Sequence, residues 1–168
     1  MKLLDGDFTS IATNDHLIYA AEKRHGTISI LEPHLNQKHT EHPAIKLTSP
    51  GGSFHTITIA NHTLFICDRG RNTLYTYSLD GACLRTRGHS GSATGEMRGA
   101  RLCCGDGEGS VLLADRWNNR LQMRDNMGQW HVVDLEPPVH KPVSAVLVGE
   151  TLYVVSAPGS IDKLIRYD

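Results

Sequence analysis

Lysine is absent from the long middle of this chain: between Leu47 and Val133 the nine basic side chains other than histidine are all arginine. Arg offers a planar fork to carboxylate or phosphate and stacks on flat faces, whereas Lys is a point charge, so the run marks a surface to follow. Charge of one sign is lacking as well. The 17 basic and 18 acidic residues leave a net charge of −1, which excludes a global pull toward DNA, RNA or a membrane. Any such binding must come from a local patch. No apolar stretch approaches the ~18 residues of a membrane span, and Asp5 and Asp7 stand where a signal peptide needs its apolar run. A soluble, cytoplasmic chain with no membrane partner is therefore expected. The four cysteines, Cys67, Cys83, Cys103 and Cys104, have no C-x-x-C spacing, and buried free thiols in a reducing compartment are the plain expectation. Helical spacing is missing too, since no window sustains i, i+3, i+4 over ten residues. With 168 residues, 16 Gly and 7 Pro, the chain reads as one turn-rich globular domain.

What is present is a repeat. Apolar triplets end at Ala21 (LIYAA), Asp68 (LFICD), Asp115 (VLLAD) and Ser156 (LYVVS), at intervals of 47, 47 and 41 residues. An interval of that size belongs to repeat architectures. Each copy holds a short apolar strand (SIAT, TITIA, RLCC, AVLVG), a turn, the triplet strand, a polar kink and an alternating strand such as TLYTY or RLQMR. In RLQMR the alternation puts Leu121 and Met123 on one face and Arg120, Gln122 and Arg124 on the other. Asp80-Gly81 and Met127-Gly128 then mark a second turn before a fourth strand. Four antiparallel strands in roughly 44 residues make one blade of a β-propeller. The expected fold class is an all-β propeller with four four-stranded blades, at about residues 8–50, 54–88, 98–136 and 142–168, with residues 1–5 as a further N-terminal strand. Two closures stay open: a small ring sealed by its own two ends, or part of a larger, six-bladed propeller.

The segment LLADRWNNRLQMRDNMGQW resembles the NHL repeat, with Asp115, Asn118, Asn119 and Arg120 on the marks of its signature. The preceding copy keeps Asp68 and Asn72 but has Arg71 and Thr73 in place of the first Asn and the Arg, and RGHSGSATGEM is similar to the family's linker between blades. Ala21 and Ser156 replace the Asp in the outer copies, so the likeness is strong over residues 54 to 135 and weak outside them. For Asp68, Asn72, Asp115, Asn118, Asn119 and Arg120 a structural role is expected. An Asp ending a strand accepts N–H groups of the following turn, and Asn tolerates the left-handed backbone.

Loops of a blade alternate ends, so the loop between the second and third strands shares a face with the linker. That gathers Arg69, Arg71, Arg116 and Trp117 with His89, Arg98 and Arg101 as the expected binding face. An exposed Trp is a frequent anchor. Catalytic signals are thin. HTEH with His34 lies between Pro33 and Pro43 with no strand expected to hold it, so no metal is expected there. GDGEG at 105–109 opens no helix and reads as a turn, and no G-x-S-x-G elbow is present. No cofactor is expected.

The resemblance implies a recognition module like the propeller of tripartite-motif NHL proteins, which selects targets for a ubiquitin ligase whose RING lies elsewhere. A protein target is the first expected partner. Single-stranded RNA bound by the Arg and Trp face is the alternative, and a propeller lyase or lactonase is the third reading.

Overall fold

The apolar triplets become the second strand of each sheet, and in the two inner blades their side chains are covered from both neighbouring blades. A computed structural model describes residues 7–22, 27–32, 41–46, 54–149, 151–157 and 164–166, with only the backbone at 41–46, 54–55 and 164–166. The strands are β1 (Phe8–Thr13), β2 (Ile18–Glu22), β3 (Thr27–Leu31), β4 (Glu41–Lys46), β5 (Phe54–Ala60), β6 (Thr63–Asp68), β7 (Thr73–Ser78) and β8 (Cys83–Arg87). They continue as β9 (Ala100–Gly105), β10 (Val111–Asp115), β11 (Arg120–Arg124), β12 (Trp130–Val133), β13 (Pro142–Val148), β14 (Thr151–Ser156) and β15 (Leu164–Arg166).

These strands form antiparallel meanders, β1 to β4, β5 to β8, β9 to β12 and β13 to β15, each in sequence order within its own sheet. The chain is thus an all-β propeller with four blades among the described residues, the last of three strands there. The expected N-terminal strand at 1–5 lies outside those residues, and so does the closure question that depends on it. Inner strands neighbour one another from blade to blade, β1 on β5, β5 on β9 and β9 on β13. Among the described residues no helix is long and apolar enough to cross a membrane.

The core lies between blades. Tyr19, Ile28, Leu64, Ile66 and Tyr77 fill the first layer, and Phe65, Cys67, Leu74, Met97 and Leu113 the second. Ala114, Leu121, Leu152 and Val154 lead the third. Because each inner blade is covered on both sides, period-two alternation does not divide buried from exposed. Gln122 is wholly buried while Met123 is 37% exposed, the reverse of what their apolarity suggests. The cysteines divide as well: Cys67 is buried, Cys83 is exposed on the outer strand β8, and Cys103 and Cys104 are half-buried. HTEH also departs from expectation. Glu41 and His42 do sit on a strand, the outer β4, whose register slips opposite Ile28 to Ile30. Pro43, which has no N–H to give, falls within that irregularity on an edge strand.

Two kinds of side-chain bond tie inner strands to the blade before them, and β9 receives both. Ser10 Oγ accepts the Ile57 N–H at 3.1 Å, and one blade on Thr56 Oγ1 accepts the Leu102 N–H at 2.7 Å. Asn72 takes φ 52° and its Oδ1 accepts the Gly99 N–H at 2.8 Å; Asn119 takes φ 54° and accepts the Lys141 N–H at 2.9 Å. Gly99 and Lys141 each immediately precede an inner strand, β9 and β13. The left-handed Asn therefore does two things with one residue, turning the chain and clasping the next blade. Asn72→Ala loses both and should cost about 1–3 kcal/mol, whereas Asn72→Gly keeps the turn and should cost less. Urea midpoints for the two variants test this; equal, negligible losses would remove the clasp from the account.

Candidate functional site

Asp115 ends β10 with its carboxylate wholly buried and fully used. Its Oδ1 accepts the backbone N–H of Arg98 at 2.7 Å, and its Oδ2 accepts from Asn118 Nδ2 at 2.8 Å, Arg120 Nε at 2.9 Å and Gln122 Nε2 at 3.1 Å. The expected partners were N–H groups of the following turn. Instead the carboxylate reaches back to the linker before its own blade, because the linker crosses directly over the end of β10. The same side chains grip the linker's carbonyls: Asn118 donates to Gly91, Arg120 to Ala93 and Glu96, and Gln122 to Glu96. Gln122 Oε1 also accepts the Gly95 N–H at 2.9 Å. Gln122 was not singled out from the sequence. Its place in an alternating strand made it look like a solvated side chain, and only the linker overhead gives it partners.

Blade two solves the same turn differently. Asp68 Oδ1 accepts the N–H groups of Gly70 and Arg71 at 2.9 and 3.1 Å, and its Oδ2 pairs with Arg71 Nη1 at 3.1 Å. Arg71 is thereby engaged by Asp68. His89 is engaged too, since its Nε2 lies 2.8 Å from Glu96 Oε1 within the linker. Glu96 Oε2 accepts the Ala93 N–H, and that bond together with His89 holds the Glu96 carboxyl below its ordinary range. Arg98 has an exposed side chain, and its backbone, rather than its guanidinium, joins the network.

What the fold does bring together is Arg69, Arg101, Arg116 and Trp117. Arg116 and Trp117 open a short 3-10 turn, Arg116–Asn118, after β10. The Trp117 N–H donates to the Arg98 carbonyl at 3.0 Å, which folds the turn onto the linker. The indole lies across Gly99, where a Cβ would stand 2.5 Å from Trp117 Cδ1 and 3.6 Å from Arg69 Nε. Gly99 takes φ 66°, so the position excludes other side chains on two counts. The Arg116 guanidinium sits 4.7 Å from the indole centroid, and Lys141 Nζ 5.9 Å from it. Trp117 remains 50% exposed. Lys141 was missed from the sequence because it lies in the next linker, 24 residues on, and only the clasp from Asn119 swings it over the ring.

Among the described residues no carboxylate pairs with Arg69, Arg101 or Arg116. Arg101, on the inner strand β9, has its pKa lowered by burial and then by the neighbouring Arg69 and Arg116 charges. The Nε atoms of Arg101 and Arg116 are buried without a hydrogen-bond partner. A concavity of about 660 Å³ lies between the third and fourth blades and is lined by Leu112, Met123, Val133, Leu147 and Leu152. Cys104 is its one thiol, and burial raises that thiol's pKa, which keeps it protonated and a poor nucleophile. Among the described residues no group of three or more His, Cys, Asp or Glu side chains could hold a metal ion.

The Asp115 network carries a prediction of its own. Asp115→Asn keeps the shape but turns an NH₂ toward donors and leaves Arg120 unpaired, at a cost of about 3–5 kcal/mol. Chemical denaturation measures it, and a loss below about 1 kcal/mol would show that the carboxylate charge is dispensable.

Comparison with known proteins finds no matching family model and no matching curated protein. Solved structures do match. A streptogramin B lyase superposes with TM-score 0.65 at 13% identity, covering 99% of this chain and 56% of its own. A putative 6-phosphogluconolactonase from Bacteroides uniformis gives 0.64 at 13%, covering 89% of this chain and 47% of its own. A structure of a nidogen/laminin complex gives 0.60 at 16%, covering 89% and 72%. This chain thus spans about half the length of the two proteins named for enzymes. At such identities the likeness concerns architecture alone, and the conclusion it supports is that this chain has the β-propeller fold.

Proposed function

We propose that this chain is a recognition module that binds a protein partner with the loop face centred on Trp117, as the target-selecting propeller of a tripartite-motif NHL ubiquitin ligase does. One observation carries the reading. Trp117 is half exposed yet positioned, with Arg116 and Lys141 over its ring and its backbone bonded to the linker. A rigid, part-exposed aromatic flanked by cations is the composition of an interface anchor. Any ligase activity belongs to other segments of the assembly in which this chain acts.

Single-stranded RNA is the second reading, favoured by the same stacking surface. A base on Trp117 would contribute about 1–3 kcal/mol, and each Arg to phosphate contact would add close to one unit to the salt slope. A net charge of −1 counts against it. The lyase or lactonase reading draws on the names of structural neighbours and on no constellation among the described side chains. Metal analysis of the purified protein is its test.

Quantitative affinity capture from cell extract, with wild type and Trp117→Ala in parallel, tests the first reading. A specific protein should be retained by wild type and lost at least tenfold by the variant, whose thermal midpoint should be unchanged within about 2 °C, as expected for a surface substitution. Equal retention by both proteins overturns it. Anisotropy with a short single-stranded RNA at two salt concentrations separates the second reading: salt-sensitive binding that Trp117→Ala abolishes would replace protein by RNA.

A further inference from the structure

Three arginines in the middle of the chain have an acceptor for the guanidinium within the fold. Arg71 pairs with Asp68, Arg120 pairs with Asp115 and two carbonyls, and Arg124 donates to the Asp125 carbonyl and lies over Phe65. Arg69, Arg101 and Arg116 are different. Arg69 and Arg116 each directly follow the Asp that ends the second strand of their blade, so the repeat sets them on adjacent blades, and Arg101 rises from the inner strand of the second of these blades. The three lie close enough that the charges of Arg69 and Arg116 act on Arg101.

Among the described residues, the two carboxylates that end strands at this corner are occupied. Asp68 serves Gly70 and Arg71, and Asp115 serves Arg98, Asn118, Arg120 and Gln122. Two guanidinium Nε atoms, of Arg101 and Arg116, are left buried with no acceptor. Buried donors of charged groups are rarely left so, because the desolvation cost is not recovered unless something else supplies the oxygen. Three like charges and buried unpaired donors describe half of an ion-binding site.

We propose that Arg69, Arg101 and Arg116 form an oxyanion pocket beside Trp117 that receives a phosphorylated side chain of the partner protein. The inference rests on the recognition reading above. Phosphate fits better than a carboxylate on charge count. A phosphorylated side chain brings about −1.5 to −2 charges and three strong acceptor oxygens, enough for three guanidinium forks, whereas one carboxylate brings a single charge and two oxygens. Trp117 then supplies the apolar contact for the residue flanking the phosphate, and Lys141 closes the far side of the ring.

The first measurement is the thermal midpoint of the whole chain in inorganic phosphate, acetate and chloride at matched ionic strength. Ligand that binds only the folded state raises the midpoint as its concentration passes Kd. The midpoint should rise with phosphate, saturably, and far less with acetate or chloride. Arg69→Gln, Arg101→Gln and Arg116→Gln should each weaken the response at least tenfold, while Arg87→Gln, exposed on the outer strand β8, should keep it. If Arg101→Gln does not fold, the two loop variants carry the test. Equal rises in chloride and phosphate, or an unchanged response in the variants, overturn the pocket. Calorimetric titration with a phosphoserine peptide, its unphosphorylated form and a short single-stranded RNA then identifies the source. The phosphopeptide should bind at least tenfold more tightly than either, and tighter binding of the RNA overturns the assignment to a phosphoprotein. The two proposals fail separately: a missing phosphate response with Trp117-dependent capture intact removes the pocket alone, and a phosphate response without Trp117-dependent capture removes the recognition reading.

Discussion

Everything at the loop face depends on one buried carboxylate. Asp115 takes four donors drawn from the linker, the 3-10 turn and β11, and so fixes the end of one strand, the path of the preceding linker and the start of the loop that carries Arg116 and Trp117. A charge that deep is tolerable only when its lone pairs are met by well-placed donors. Arg120 and Gln122 meet that condition and also satisfy the linker's carbonyls. A loop of a dozen residues, 88 to 99, is thereby held by its neighbours without any regular secondary structure of its own.

The same motif distributes charge unevenly. Asp68 is spent on its own turn and Asp115 on turn and linker, so the Arg that follows each Asp has none left to pair with. In blade two Arg71 takes the pairing and Arg69 is released; in blade three Arg120 takes it and Arg116 is released. Stability and recognition therefore occupy adjacent positions of one repeat: Asp, Asn and the inward Arg build the blade, and the residues between them face outward. The clasp from Asn72 to Gly99 and from Asn119 to Lys141 sets how far those outward residues of one blade stand from the linker of the next.

The blade pattern was legible because a strand pattern is local. The triplets, the turns at Asn61-His62 and Asp80-Gly81, and the 47-residue interval each express short-range preferences that packing does not reverse. Burial was less legible. Gln122 and Met123 exchange their expected environments because the linker lies over Gln122, whereas the concavity toward the fourth blade exposes Met123. Of the residues expected on the binding face, the fold brings Arg69, Arg101, Arg116 and Trp117 together. Arg71 and His89 find partners in Asp68 and Glu96, and such pairings depend on rotamers and on a linker path that spacing does not encode.

The sequence by itself determined an all-β chain of repeating antiparallel blades, the left-handed turns at Asn72 and Asn119, and a long middle whose basic side chains other than histidine are all Arg, since these follow from chirality, strand periodicity and composition. Which Arg is neutralised and which is left bare was decided only by the tertiary structure. Charges far apart in the chain, such as Arg69, Arg101 and Arg116, interact only once the blades stack, and the acceptors that might have quenched them are claimed by nearer donors. Likewise Lys141 stands over Trp117 because an inter-blade hydrogen bond places it there, and the chain between them carries no sign of it.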